Sequence, residues 1–511
     1  MRMSDSQVRI CAVITEETVA LARAAMNQAA TVADLIELRL DYLRDFDFAD
    51  ERSLASLALL LDDKPLPVII TCRAASEGGQ QPIDDRHRLR LLVEGARRCA
   101  DYCDIEAAYY AEAAALSPDI SRLIVSYHNF EETPPDLDDV YDRVTALPAA
   151  VHKIVTRANT ITDALGVFKL LARARGQGTN FIAMAMGQAG VITRVMGPSR
   201  GSFLTYGSLD SGKESADGQL TCEELIDAYR IRRLSLSTKI TGIVGSPVGH
   251  SASPAMHNRA FAELGLDYVY LPLEVDGLAE FVDRFVTPAR REMDWNLRGL
   301  SVTIPHKSKI IPLLEEVSES ARQIGAVNTV VIDHRRLVGY NTDVRGAMEP
   351  LEQACKLTGE SCAVIGAGGA ARAVISGLLG RGARVEVFAR NPASANSLNE
   401  AFGVTVSPIE SLESNDARVI INTTPVGMRG HSEGSSPVPA KALRGRLIVY
   451  DLVYNPLETQ LLLDARAAGC QVISGIEMLV AQASLQFELF TGEKPPIDVM
   501  REAAFRRITG D

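Results

Sequence analysis

The chain lacks CxxC pairs and any cysteine–histidine cluster at metal-ligand spacing, although eight cysteines are spread over its 511 residues. Thiols scattered in this way predict reduced, buried residues of a cytoplasmic protein, and no metal centre is expected. No predominantly apolar stretch reaches the roughly 18 residues that a membrane span needs, so nothing is expected to cross a bilayer. The opening "MRMSDSQVRICAVITEE" lacks the long apolar core of a leader: its short run follows Asp5 and meets Glu16 and Glu17. Positive charge is also in short supply. With 53 basic and 65 acidic residues the net charge is −12, which argues against nucleic acid or an anionic membrane as the main partner. Small anionic substrates stay open, because a few local arginines decide their binding. Oligomeric state is not legible.

What is present is a globular composition, 46% hydrophobic and 23% charged, in a chain long enough for roughly two to four domains. The first 220 residues contain a series of short apolar runs. They are "VRICAVI" (8–14), "LIELRL" (35–40), "VIITCR" (68–73), "YCDIEA" (102–107), "RLIVSYH" (122–128), "VHKIVT" (151–156), "NFIAMAM" (180–186) and "GSFLTY" (201–206). Between most of them lie helical patterns such as "ITDALGVFKLLARAR", with apolar residues three and four apart. Eight strands alternating with helices fit a (β/α)8 barrel, and an open doubly wound sheet fits the same periodicity. Polar residues favour the barrel. Arg39 and Asp41 close the second run, Arg73 ends the third, Glu106 lies late in the fourth, His128 ends the fifth and Arg194 follows the seventh. A barrel brings the carboxyl ends of its strands to one mouth, where these residues converge with Lys153; an open sheet spreads them along an edge.

Lys153 shares its face of the pleat with Val151 and Val155. A lone lysine in a strand most often belongs to a solvated face. In a walled site, desolvation lowers its pKa and makes the amine a nucleophile. The surrounding pieces decide between these readings. "ELRLD", "TCRAASEGG", "SYHNF", "HKI", "TRVMGPSRGSFLTYG" and "SADGQ" together resemble the type I 3-dehydroquinate dehydratases, over roughly residues 7–230. The resemblance implies that Lys153 forms a Schiff base, that His128 transfers protons and that Glu77 orients His128. It places Glu37, Arg39, Arg73, Arg194, Ser215 and Gln219 where the family contacts its substrate. The residue types suit the chemistry. An iminium at Lys153 is an electron sink for the carbanion formed when a proton leaves the carbon beside a ketone. His128 can take that proton and then protonate the departing hydroxyl, and Arg194 suits a bidentate grip on a carboxylate. The chain departs from the family in the lid segment. That segment often reads Ser-Ala-Pro-Gly-Gln, and here Asp217 replaces the proline and brings a negative charge toward the expected carboxylate.

An amphipathic stretch, "CEELIDAYRIRRL" (222–234), and the small polar break "SLST" (235–238) mark a domain boundary. Beyond it, "GAGGAARA" follows the apolar strand "CAVI" and opens a helical run. Gly366 and Gly368 let the backbone approach a pyrophosphate at a helix N-terminus, and Ala371 replaces the last glycine of the dinucleotide fingerprint. The next strand, "RVEVFA", leads to Arg390. An acid there suits the ribose of NAD; an arginine suits the 2′-phosphate of NADP.

"VGSPVGHSASPAMHN" (244–258), "LSVTIPHK" (300–307), "IGAVNTVV" (324–331), "GYNTDVRG" (339–346), "YDLVYNPLETQLL" and "GIEMLVAQASLQFELFTG" resemble shikimate dehydrogenases across roughly residues 239–511. The resemblance implies a substrate site lined by Ser251, Ser253, Thr303, Lys307, Asn328, Thr342, Asp343, Tyr454 and Gln482, with Lys307 and Asp343 as the catalytic pair. It implies a cofactor site drawn from Gly366, Ala367, Gly368, Gly369, Ala370, Arg390, Asn391, Thr423 and Gly475, with "NTTPVGM" (422–428) closing over the nicotinamide.

The expected fold class is α/β: a (β/α)8 TIM barrel over 1–234, then a two-subdomain α/β dehydrogenase over 239–511. Its substrate subdomain is expected at about 239–345 plus the C-terminal helices 475–511, and a Rossmann-type NADP-binding subdomain at about 346–474. The expected function is a bifunctional, cytoplasmic shikimate-pathway enzyme. It dehydrates 3-dehydroquinate to 3-dehydroshikimate and reduces that to shikimate with NADPH. Two alternatives stand beside it: a quinate/shikimate dehydrogenase fusion, and a non-catalytic metabolite-sensing regulator built from the same domains. The presence of Lys153, His128, Lys307 and Asp343 argues against the regulator.

Overall fold

The computed structural model describes residues 8–50, 52–430 and 432–510; the expectation about a leader rests partly on residues 1–7, which lie outside them. The chain divides into two compact units. One runs to Thr238 and includes Pro272–Phe285 and Arg290–Asp294; the other takes Lys239–Leu271, Val286–Ala289 and the rest from Trp295.

In the first unit, β1 (Ile10–Ile14), β2 (Leu35–Arg39), β3 (Val68–Thr71), β4 (Tyr102–Glu106), β5 (Leu123–His128), β6 (Val151–Arg157), β7 (Phe181–Met186) and β8 (Thr205–Ser208) form one sheet. Each strand pairs in parallel with the next along the chain from β1 to β7, and β8 pairs with β1. An isolated bridge from Phe181 to Ser202 brings β7 to the approach of β8, so the sheet curls into a barrel and the open-sheet alternative falls. Alternate side chains fill its interior: Val151 and Val155 of β6 pack with Cys11, Leu35, Ile69, Ile124 and Ile182. The pattern "ITDALGVFKLLARAR" becomes the helix Asp163–Gln177.

The eighth strand begins four residues later than the run at 201–206 predicts. Pro198–Arg200 winds a short helical turn and Gly201 takes φ +111°, so pairing with β1 starts only at Thr205. The cysteines are all free, and six of the eight are buried; Cys99 and Cys355 are only half-buried, a correction to the expectation that all are interior.

Two further sheets follow along the chain, largely within the second unit. β9 (Lys239–Gly245), β10 (Tyr268–Glu274), β11 (Leu297–Val302), β12 (Glu316–Val317), β13 (Thr329–Asp333) and β14 (Arg336–Tyr340) form a mixed sheet of order β10-β9-β11-β13-β14-β12. The helix Gly475–Thr491 joins its core, where Ala483 and Phe487 pack with Met256, Phe261 and Tyr270. β15 (Ser361–Ile365), β16 (Arg384–Ala389), β17 (Thr405–Pro408), β18 (Val419–Asn422), β19 (Ile448–Asp451) and β20 (Gln471–Ile473) form a wholly parallel sheet of order β17-β16-β15-β18-β19-β20. Separate apolar clusters cover its two faces, which is why its central strands β15, β18 and β19 read as largely apolar runs. The strand order reverses between β15 and β18, and a parallel sheet opens its ligand crevice at that switch point.

Candidate active sites

The nine side chains that the resemblance places in the barrel site line one cavity at its mouth: Glu37, Arg39, Arg73, Glu77, His128, Lys153, Arg194, Ser215 and Gln219; Asp41 and Glu106, also expected to converge there, do not line it and instead hold Arg39 and Arg73. Met184, Met186, Phe130 and Tyr206 complete the wall. Lys153 is 3% exposed, so its strand carries a walled lysine and not a wet face. Its amine donates to Asp104 Oδ2 at 3.0 Å, lies 3.5 Å from Glu37 Oε1 and stands 4.6 Å from the centre of the Tyr206 ring.

Asp104 was missed by sequence reasoning. The available signal was two acids two residues apart, Asp104 and Glu106, in the otherwise apolar β4, and hence on one face of it. Both are fully buried and hold Arg73 Nη1, at 3.0 and 3.1 Å, and Ser126 Oγ donates to Asp104 at 2.6 Å. Burial disfavours the charge on Arg73, yet Asp104 and Glu106 keep it above its ordinary value. Burial likewise opposes ionisation of Asp104, and Arg73 and Lys153 outweigh it, holding the carboxyl well below the usual range. Arg39 is fixed by a two-pronged contact with Asp41, at 2.9 and 2.8 Å.

Arg194 differs from these arginines. It is 2% exposed, its Nη1 reaches only Met184 Sδ at 3.5 Å, and its Nε has no partner among the described residues. Burial pulls its pKa down to about 10. A buried guanidinium without a counter-ion, opening on a cavity, is a site waiting for an anion. In the same cavity lining, Ser215 donates from its backbone N–H and its hydroxyl to Gln219 Oε1, at 2.7 and 3.0 Å. Asp217, the lid departure, pairs with Arg157 at 3.1 Å.

His128 Nδ1 lies 2.9 Å from Glu77 Oε2. Burial, then the charges of Arg73 and Lys153, push the imidazole pKa well below its ordinary value, so the ring is neutral at pH 7. Burial raises Glu77 to about 7. The ionised carboxylate accepts from Nδ1–H and leaves the Nε2 lone pair free as a base. The protonated acid donates to Nδ1 and moves the ring proton to Nε2, where no lone pair is left. Activity that needs a base at Nε2 therefore falls as pH drops through about 7. We expect a reaction that uses this base to lose about tenfold in kcat/KM per pH unit below that point. Glu77→Gln, which does not titrate, should be slower but flat between pH 6 and 8. An unchanged acid limb in the variant would assign the titration elsewhere.

In the second unit, Lys307 Nζ donates to Asp343 Oδ2 at 2.6 Å, and Asp343 is 2% exposed. Asn328 Nδ2 donates to Asp343 Oδ1 at 2.8 Å, to Thr342 Oγ1 at 2.9 Å and to Gln482 Oε1 at 3.4 Å. Five of the expected residues are thus bonded together. Gln486, which was not foreseen, extends the chain: its amide donates to the Asn328 carbonyl and its oxygen accepts from Ser301, which accepts from Tyr270. Tyr270 in turn bonds Ser253, and the Ser253 N–H donates to Ser251 Oγ at 3.2 Å. Thr303 and Tyr454 stand half-buried just past β11 and β19.

The glycine turn lies between β15 and the helix Gly369–Leu379, at the switch point. Gly366 has φ +110°, and a Cβ there would come within 2.8 Å of Thr423 Oγ1, so only glycine fits. Gly368 and Gly369 are exposed at the helix start, with Ala367 and Ala370 beside them, and open space surrounds both glycines. Arg390 and Asn391 follow β16 at the surface, and Arg390 has no acidic partner among the described residues. Gly475 lies elsewhere, buried at the start of its helix. A bare turn, a helix N-terminus and a free arginine fit a dinucleotide with an extra phosphate. Gly475 alone has no observed link to that cradle.

A TIM-type barrel with a buried lysine among acids, followed by a mixed-sheet part with a lysine–aspartate pair and a parallel-sheet dinucleotide fold, defines a two-enzyme chain: a lyase and an oxidoreductase. Family models agree with each part. "Type I 3-dehydroquinase" matches residues 10–235, and "Shikimate dehydrogenase substrate binding domain" matches 243–330. "Shikimate 5'-dehydrogenase C-terminal domain" matches 475–505, and "NADP oxidoreductase coenzyme F420-dependent" matches 361–449. The chloroplastic bifunctional 3-dehydroquinate dehydratase/shikimate dehydrogenase of Arabidopsis thaliana is 36% identical over 489 residues, 91% of this chain and 78% of that one. The NADP(+) shikimate dehydrogenase of Pyrococcus abyssi is 41% identical over 272 residues, 53% of this chain and 98% of that one. A crystal structure of a shikimate dehydrogenase in complex with NADP+ aligns with TM-score 0.51 and 36% identity, covering 54% of this chain and 97% of that one. The chain belongs to the bifunctional 3-dehydroquinate dehydratase/shikimate dehydrogenase family.

Proposed function

We propose that the barrel cavity converts 3-dehydroquinate to 3-dehydroshikimate through an iminium on Lys153, and that the second unit reduces that product to shikimate with NADPH. The observation that carries the first half is one cavity holding a buried amine, a neutral histidine and a guanidinium without a counter-ion. Arg194 takes the substrate carboxylate. The Lys153 amine adds to the C3 ketone, and loss of water gives the iminium. His128 then removes a proton from C2, and the electron pair moves into the iminium. The proton returns to the C1 hydroxyl, which leaves as water, and hydrolysis frees the product and the amine.

In the second unit the glycine turn and helix N-terminus would hold the pyrophosphate and Arg390 the 2′-phosphate. When bound, NADPH supplies a hydride to the C3 ketone. Lys307 delivers the proton that the resulting oxyanion needs, and Asp343, held by Asn328, keeps the ammonium in place. Ser253 and Thr303 occupy the space that the extra hydroxyl of quinate would need, so shikimate is the preferred partner. The residue ranges 1–234 and 239–511 are the two enzymes, with 346–474 the cofactor-binding part. The free cysteines suit a reducing compartment, and we place the protein in the cytoplasm. The described residues contain no helix long and apolar enough to cross a membrane.

One coupled assay tests the whole reading. Given 3-dehydroquinate and NADPH, the purified chain should consume NADPH; no consumption would overturn it. Cofactor choice has its own test. Arg390→Ala should weaken NADP(H) by about 1.5 kcal/mol, the low end for a charge-assisted contact because the arginine is exposed, and leave NAD(H) nearly unchanged. Equal losses for both cofactors would show that Arg390 does not read the phosphate.

A further inference from the structure

The segment that roofs the barrel cavity is tied to the rim by two ion pairs that the chemistry above does not use. Ser215, Ala216 and Gln219 face the cavity. Between them, Asp217 Oδ2 accepts from Arg157 Nη2 at 3.1 Å. Arg157 is the last residue of β6, the strand that carries Lys153, and the two share a face of the pleat. The Asp217 carbonyl accepts from the Gly187 N–H at 3.0 Å, just past β7. Gly218 then presses on Gly187 so closely that a Cβ would lie 2.3 Å from its carbonyl oxygen, at φ +72°. On the other side, Lys213 Nζ lies 3.3 Å from Glu16 Oε2, and Thr15 Oγ1 donates to the Lys213 carbonyl at 3.4 Å, both just past β1. The roof is therefore strapped across the mouth, from the exit of β1 to the exits of β6 and β7.

The sign of the charge at Asp217 matters. Asp217 and Arg194 make no ion pair or hydrogen bond with each other among the described residues while Arg157 holds the carboxylate, although its charge is felt at the guanidinium. Released from Arg157, Asp217 would compete for Arg194 with the carboxylate of an anionic substrate, or repel it. We propose that Arg157 and Asp217 are positioning residues for dehydration: a latch that holds the roof over Lys153 and keeps the roof's own carboxylate off Arg194. This rests on the reading of the cavity as the dehydratase site. The paired side chains are 38% and 49% exposed, so salt screens the latch.

The test compares Arg157→Gln, Asp217→Asn and the double variant in the full chain. Arg157→Gln should raise the KM for 3-dehydroquinate about three- to fivefold with kcat within about twofold, because it frees a competing carboxylate as well as the roof. Asp217→Asn should cost less, about twofold, since it removes the competitor along with the latch. The double variant should match Asp217→Asn, because Arg157 has nothing left to restrain. Hydrogen exchange of the peptide spanning 211–219 should quicken in both single variants, and Arg157→Lys should restore slow exchange. Wild-type KM and exchange in Arg157→Gln, or losses that multiply in the double variant, would overturn the latch. Shikimate oxidation by the same chains reports that they fold. Borohydride with saturating 3-dehydroquinate separates the two readings. Without an adduct on Lys153 in the unaltered protein the cavity assignment itself fails, whereas an adduct with unmoved KM values removes only the latch.

Discussion

Lys153→Ala should abolish dehydration, by on the order of 10⁴-fold or more, while leaving the reduction of supplied 3-dehydroshikimate untouched. The size follows from the role. Without the amine no iminium forms, and proton removal at C2 leaves a carbanion with no electron sink; His128 and Arg194 then retain only binding and base catalysis. Borohydride added with 3-dehydroquinate should fix a mass adduct on Lys153 in the unaltered protein, because reduction traps an iminium and nothing weaker. An adduct on another lysine, or dehydration surviving in Lys153→Ala, would refute the assignment. Loss of folding is a poor alternative explanation. Removing one partner of a buried ion pair can cost about 3–5 kcal/mol, but Asp104 keeps its contacts with Arg73 and Ser126 when Lys153 goes. The reductase activity of the same molecule supplies an internal standard for protein concentration.

The burial of Lys153 was legible only through the motifs around it, since the valines on its face left a solvated strand open. Closure of the barrel was legible only through the polar residues at strand ends, since the periodicity of eight runs is shared with an open sheet. Asp104 was legible only as one of two acids on a single face of β4, without the partners that give it a role. An acid in a strand reads as a solvated position until its partners are known, and those partners, Arg73 and Lys153, lie 31 and 49 residues away. Gln486 is the same case: its bonds to Ser301 and Asn328 span 185 and 158 residues. The latch joins residues 60 apart. Motifs record chemistry that a family shares within a short stretch, whereas polar contacts made across the fold leave no local pattern. The late start of β8 has a local cause that the apolar run concealed: the turn at Pro198–Arg200 and the left-handed Gly201 delay the strand.

The second large effect is expected at Lys307. Lys307→Met should lower kcat for 3-dehydroshikimate reduction by about 10²–10⁴-fold, with dehydration unchanged. Its ammonium is the donor closest to a fixed carboxylate in that site, and Asp343 is fully engaged: one oxygen on Lys307 at 2.6 Å, the other on Asn328 at 2.8 Å. A lysine that merely bound substrate would change KM and leave kcat alone, so the split between the two constants distinguishes the roles. Asp343→Asn keeps the shape and removes the charge that holds the ammonium, and its loss in kcat should approach that of Lys307→Met. Because the two residues act as one unit, the double variant should be little worse than either single one. Losses that multiply would mean that lysine and aspartate act at separate points. The identity of the proton donor would then have to be sought elsewhere in the site, with Tyr454, half-buried past the end of β19, the first residue to test.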